Sequence, residues 1–182
     1  MRYTSIRSLD ISNGEGVGVS LFVQGCDRHC FNCFNSETWD FNGGKEWTEE
    51  TKNKFMELID RPYIKRISIL GGEPLAEQNL DEVLSLIKEI RISFPEKIIW
   101  LYTGYTWGQL VYSRMPSGVG KEKEFLNWNR RNEIISNIDI CIDGEYVDNL
   151  KDLTLKWRGS KNQRVIDVKQ SLAQNRVVLY CD

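Results

Sequence analysis

A chain of 182 residues with 41% hydrophobic and 27% charged residues has the composition of an ordinary globular domain and enough apolar material for one core, which excludes a disordered or fibrous chain. Its 24 Lys and Arg against 26 Asp and Glu leave a formal charge of −2, so composition gives no electrostatic case for nucleic-acid binding. No apolar run approaches the roughly 18 residues that span a bilayer, and no signal-peptide core follows Met1. A single domain over residues 1–182, in the cytoplasm and away from membranes, is therefore expected.

Taken in order, Gly14-Glu15-Gly16-Val17-Gly18 resembles a dinucleotide fingerprint only superficially, because these glycines precede a strand instead of opening a helix. Val19, Leu21 and Val23 alternate through a strand ending at Gln24, and Gly25 turns the chain into GCDRHCFNCFN. That loop carries Cys26, Cys30 and Cys33 in the spacing CxxxCxxC, three of the five cysteines of the chain. In an iron–sulfur cubane three thiolates leave one iron without a protein ligand, open to a substrate or cofactor. Zinc is a second reading, with His29 as a fourth ligand, although such sites usually draw on two separated pairs. A redox dithiol at Cys30 and Cys33 is a third, and it leaves Cys26 without a role. An odd, clustered cysteine count suits a reducing compartment, with Cys141 and Cys181 structural or incidental.

Residues 48–59 read as a helix capped by Thr48, with Phe55, Leu58 and Ile59 on one face. KRISILGGEP (65–74) is a second strand running into a glycine pair. A helix over 79–94 follows, its stripe formed by Leu80, Val83, Leu84, Ile87, Ile90 and Phe94, with Asn79 and Glu82 placed as a capping box. IIWLY (98–102) has the continuous apolar character of a buried parallel strand, and Thr103-Gly104 ends it. A short helix from about Thr106, a surface loop over 114–124 and a helix over 125–137 come next. A strand over 138–142 and an irregular stretch to Ser160 follow, then a helix over 164–173 and a last strand over 177–180. Strands alternating with helices predict an α/β fold with a mostly parallel sheet.

The CxxxCxxC loop and GGEP then leave the same carboxyl edge of that sheet, where ligands bind in such folds. The combination resembles the radical S-adenosylmethionine enzymes, and the resemblance implies a full or partial (β/α) barrel carrying a 4Fe-4S cluster on the cysteine loop. It narrows to the activating enzymes of glycyl-radical proteins, above all those serving anaerobic ribonucleotide reductase. The segments that carry it, DISNGEGVGVSLFVQGC (10–26), CFNCFNSETWDF (30–41), GGEPL (71–75), WLYTGYTW (100–107), IDICIDGEY (138–146) and LKWRGSKNQRVID (155–167), cover most of the chain in order. Glu15 and Gly18 stand where that family commonly has proline and arginine, and residues 111–132 are longer than usual.

The resemblance implies one 4Fe-4S cluster on Cys26, Cys30 and Cys33, and S-adenosylmethionine bound near Asn32, Cys33, Phe34, Gly71, Gly72, Glu73 and Thr103. Glu73 is the expected acceptor for the cofactor's amino group, and the glycine pair lets backbone approach without a side chain in the way. A 5'-deoxyadenosyl radical would then abstract hydrogen from a glycine of anaerobic ribonucleoside-triphosphate reductase, fed by an unidentified one-electron donor. The alternatives are a small-molecule enzyme of the same superfamily, an activase of another glycyl-radical protein, or a zinc-bound interaction module.

Overall fold

The computed structural model describes residues 1–181. In chain order the elements are β1 (Arg2–Asp10), β2 (Gly18–Val23), β3 (Lys45–Glu46), α1 (Glu49–Ile59), β4 (Arg66–Gly71), α2 (Leu80–Ser93), β5 (Ile98–Tyr102), α3 (Trp107–Leu110), α4 (Glu122–Ser136), β6 (Ile140–Asp143), β7 (Arg164–Asp167), α5 (Val168–Gln174) and β8 (Leu179–Cys181). They build a mixed α/β fold around one eight-stranded sheet of order β3-β1-β2-β4-β5-β6-β7-β8, which does not close on itself among the described residues.

The parallel pairing expected from sequence lies at the centre, where β2, β4, β5 and β6 run side by side. These are the strands with near-continuous apolar runs, as burial on both faces demands. Both margins are antiparallel: β1 pairs with β2 and β3, and β7 pairs with β6 and β8. β1 has no counterpart in the sequence reading, because RYTSIRSLD is mostly polar and only Asp10 in it is fully buried.

Period-two alternation divides the sheet into two faces. Val19, Leu21, Val23, Ile67, Ile69, Ile99 and Leu101 face the helices, together with Phe55, Ile59, Val83, Ile87 and Ile134. The opposite face carries a smaller cluster of Trp100, Ile140, Ile142 and Val165, packed against Trp157 and Cys181. Beside it sits Arg66, 1% exposed, which donates to the Asp10 carbonyl at 2.7 Å, the Asp10 carboxylate at 3.1 Å and the Asn13 carbonyl at 2.6 Å. Asp10 in turn accepts from the Ser12 and Asn13 amides, each at 2.9 Å. The glycine-rich stretch after β1 is thus drawn over the helix-free face, a packing role in place of the rejected dinucleotide site.

Three expectations are corrected. The helix expected over 164–173 splits, because Val165 and Ile166 are both fully buried in different clusters, as neighbours in a strand are. The helix α5 begins only after Asp167, whose carboxylate accepts from the Gln170 amide at 2.9 Å. The loop expected over 114–124 gives way to α4 at Glu122, with Glu122 and Glu124 in its first turn. Asn79 precedes α2 without capping it by its side chain, for its amide is used elsewhere. Thr48, by contrast, caps α1 as expected, accepting from the Thr51 amide at 3.2 Å.

Candidate active site

Val23 lies opposite Gly71 in the parallel β2–β4 pair, so the cysteine loop and the Gly71-Gly72-Glu73-Pro74 turn leave the sheet side by side. The Gly72 amide donates to the Val23 carbonyl at 2.9 Å and the Glu73 amide to the Gly25 carbonyl at 2.8 Å. Gly71 has φ +107°, a conformation that strains any other residue. A Cβ on Gly72 would run into the Gly25 carbonyl. The glycine pair is therefore required first by the close approach of the two motifs.

Two residues that sequence reasoning missed fasten this junction. Gln24, 2% exposed, donates its amide to the Glu37 and Asp40 carbonyls at 3.2 and 2.8 Å, bringing the far end of the cysteine loop back to the sheet. Asn79 donates to the Gln24 carbonyl at 3.1 Å and the Glu73 carbonyl at 3.0 Å, stitching one motif to the other. The only signal for Asn79 was a polar residue ahead of a helix, which reads by default as a cap.

Cys26, Cys30 and Cys33 are half-buried free thiols lining one cavity of about 550 Å³, whose walls also include Phe34, Gly71, Gly72, Glu73 and Thr103. No three His, Cys, Asp or Glu side chains converge as a group for a single metal ion among the described residues. A cubane asks for a different arrangement, three thiolates facing one space with each held by its own iron, and Cys26, Cys30 and Cys33 do line one space. The Arg28 and Asn35 amides point at the Cys26 and Cys33 sulfurs, both at 3.4 Å, a polarity that favours thiolate. Burial nonetheless pushes the Cys26 thiol up to about 11 and raises Cys30 as well, so metal loading has to release protons. His29 is exposed and lies outside the cavity lining, its ring 4.8 Å from that of Trp39.

Glu73 is 1% exposed. Its Oε1 accepts from the Leu75 amide at 2.9 Å and the Thr103 hydroxyl at 2.8 Å, and its Oε2 accepts from the Gly104 amide at 2.7 Å. Burial raises its carboxyl above the ordinary range, and these donors with the Arg28 charge pull the other way. A carboxylate has about four acceptor positions, so three protein donors leave room for one more. Arg28 lies over the Tyr105 ring at 3.8 Å and pairs with Glu145 at 3.2 Å, linking the cysteine loop to the segment after β6.

Phe34 lines the cavity, its ring 5.0 Å from Tyr146 and under the Lys151 ammonium at 5.1 Å. Asn32 does not line it. At φ +54° it is exposed and donates to Asp148 at 3.1 Å, which also accepts from the Tyr146 hydroxyl at 2.8 Å. The structure thus brings the expected site residues to one cavity except Asn32, which is turned toward the segment after β6.

A family model described as a 4Fe-4S single cluster domain matches residues 12–166. The anaerobic ribonucleoside-triphosphate reductase-activating protein of Escherichia coli (strain K12) is 35% identical over 167 residues, which cover 91% of this chain and 97% of that protein. The protein of the same name from Salmonella typhi is 36% identical with the same coverage, and that of Enterobacteria phage T4 is 36% identical over 91% of this chain and 93% of its own. The chain belongs to this family of activating proteins. Membership bears out the resemblance drawn from the motifs, and with it the 4Fe-4S cluster and the assignment as a radical-generating activase. S-adenosylmethionine follows from the family. No helix among the described residues is long and apolar enough to cross a membrane.

Proposed function

We propose that Cys26, Cys30 and Cys33 hold the cluster, that S-adenosylmethionine occupies the adjoining cavity, and that the chain places a radical on a glycine of anaerobic ribonucleoside-triphosphate reductase. One observation carries the reading: three free thiols and a buried, incompletely saturated carboxylate share one cavity at the carboxyl edge of a parallel sheet. When bound, the cluster supplies one electron, delivered by a separate donor, that breaks a carbon–sulfur bond of the cofactor and so yields the radical that takes hydrogen from the partner.

The remaining work falls to the chain's own residues. Glu73 accepts from the cofactor's amino group at its free position, held in place by the Leu75, Thr103 and Gly104 donors. Gly71 and Gly72 let the backbone approach without a side chain, Thr103 orients Glu73, and Phe34 walls the cavity beside Cys33. Asn32 acts through Asp148, fixing the cysteine loop against the segment after β6. We read the open sheet, with helices on one face and the cavity over the other, as the partial (β/α) barrel of the radical S-adenosylmethionine type, one domain spanning residues 1–182. Phe34 and Leu153 stand 54% and 80% exposed on the cavity wall, an apolar rim suited to a protein segment more than to a small polar substrate.

The test is anaerobic reconstitution with iron and sulfide, followed by S-adenosylmethionine and a reductant with and without the reductase. Iron and sulfide should load in equal amounts, and formation of 5'-deoxyadenosine should rise when the reductase is added. Tight retention of zinc with no reductive cleavage of the cofactor would overturn the proposal.

A further inference from the structure

The cavity is lined by three guanidinium groups, Arg7, Arg28 and Arg158, whose circumstances differ. Arg7 pairs with Asp10 at 3.4 Å and lies 4.7 Å from the centre of the Phe22 ring. Arg28 pairs with Glu145 at 3.2 Å and approaches Asp27 at 3.7 Å. Arg158 pairs with no carboxylate among the described residues, which sets it apart; its Nε, like that of Arg28, is buried without a hydrogen-bond partner. The other acids lining the cavity are taken, Glu145 by Arg28, Asp152 by Lys161 at 3.6 Å and Glu73 by its three donors.

The backbone that carries Arg158 is fixed. The Gly159 carbonyl accepts from the Asp152 amide at 3.2 Å, the Gly159 amide donates to Gln163 at 3.0 Å, and Gln163 donates to the Gly144 carbonyl at 3.0 Å. Immediately before it Trp157 is left-handed, φ +59°, with its ring 5.0 Å from Trp100. Such a conformation in a tryptophan persists only where the surroundings over-determine it. A desolvated guanidinium nitrogen on a rigid segment, with no acid of its own, is a prepared site for an anion, and planar carboxylates match its fork.

We infer that Arg158 binds the carboxylate of the cofactor's methionyl end, the counterpart of Glu73 at its amino group. This assignment rests on the proposed binding of S-adenosylmethionine in the cavity and deepens it. Glu73 supplies the buried anion and Arg158 the uncompensated cation, so a zwitterionic head group satisfies both while a ligand with only one of the charges leaves the other unmet.

The test uses the cluster-loaded protein and reads binding by direct titration, with S-adenosylmethionine and its decarboxylated analogue as ligands. Arg158→Gln should weaken S-adenosylmethionine roughly 10- to 100-fold, the range for a lost charge-assisted contact, and leave the analogue unchanged. Arg158→Lys, which keeps the charge without the fork, should fall between wild type and Gln. Equal losses for both ligands would make Arg158 a structural residue, and no loss for either would remove it from the site; each result overturns the assignment. Wild-type protein that loads the cluster but takes up neither ligand would overturn the functional reading itself, a separate and distinguishable failure.

Discussion

Glu73 is the residue whose replacement probes site and fold together. Glu73→Ala strands three donors, the Leu75 amide, the Thr103 hydroxyl and the Gly104 amide. A buried donor left unsatisfied costs about 1–3 kcal/mol. The hydroxyl can rotate and Gly104 is only half-buried, so the loss should total about 3–5 kcal/mol out of the roughly 5–15 kcal/mol that holds a domain together. Glu73→Gln keeps a carbonyl oxygen for Leu75 and Thr103 and sets an amide against the Gly104 N–H, which should cost about 1–3 kcal/mol. Urea unfolding of the apo protein measures both. The pH dependence has a definite sign: burial raises the Glu73 carboxyl above 4.5, so above that pH the folded state holds a proton the unfolded state has released. The group's contribution therefore falls as pH rises from 4.5 through the raised value, and the stability gap between wild type and the Gln variant narrows over that window. An Ala variant as stable as wild type, or a gap that widens with rising pH, would refute the reasoning.

Replacing Cys26, Cys30 or Cys33 by Ala should abolish a stable cluster while Cys141→Ala and Cys181→Ala retain it, as read by iron and sulfide content and by paramagnetic resonance; cluster loss confined to the Cys141 variant would reverse the assignment. Gly72→Ala places a methyl group on the Gly25 carbonyl and should cost about 1–3 kcal/mol in the apo protein, so an unchanged melting temperature would contradict the close approach. Arg66→Met takes the buried cation from Asp10, leaving it only the half-exposed Arg7 at 3.4 Å, and should cost at most about 3–5 kcal/mol. Burial raises the Asp10 carboxyl, but the Asn13, Arg66 and Ser12 hydrogen bonds outweigh it and hold the group below 3.8, so its contribution is full above 3.8 and is lost as pH falls through the lower folded value. The Arg66→Met protein should lose part of that acid sensitivity, and an identical acid titration of stability in both proteins would count against the pair.

The helix-facing side of the fold was legible in the sequence because it rests on period and capping: Phe55 and Ile59 of α1, Leu80, Val83 and Ile87 of α2, and the apolar runs of β2, β4 and β5 all stand where their patterns put them. Leu86, however, is buried where the expected stripe had Leu84, which is only partly buried. The margins were not legible. β1 is polar and partly exposed, and β7 is only four residues long before α5, so neither offers a pattern that outweighs its surroundings. At the site, the cysteines and the glycine turn announced themselves by spacing, whereas Gln24, Arg28 and Asn79 act through partners distant in sequence. An asparagine that bonds carbonyls at positions 24 and 73 looks, on the chain alone, like any asparagine ahead of a helix. Glu73 was visible as a carboxylate beside glycines, but its three donors come from two loops that only the β4–β5 pairing brings together.

The central claim, that this cavity delivers a radical to a protein glycine, is tested most directly by paramagnetic resonance on a mixture of the cluster-loaded protein, a reductant and S-adenosylmethionine with anaerobic ribonucleoside-triphosphate reductase. The reductase should acquire a glycyl radical when it carries its radical-site glycine and none when that residue is alanine, and the signal should vanish with Cys30→Ala in the activating chain. The absence of any glycyl signal on the intact reductase, with the cofactor consumed on a small nucleobase-like compound instead, would contradict the account.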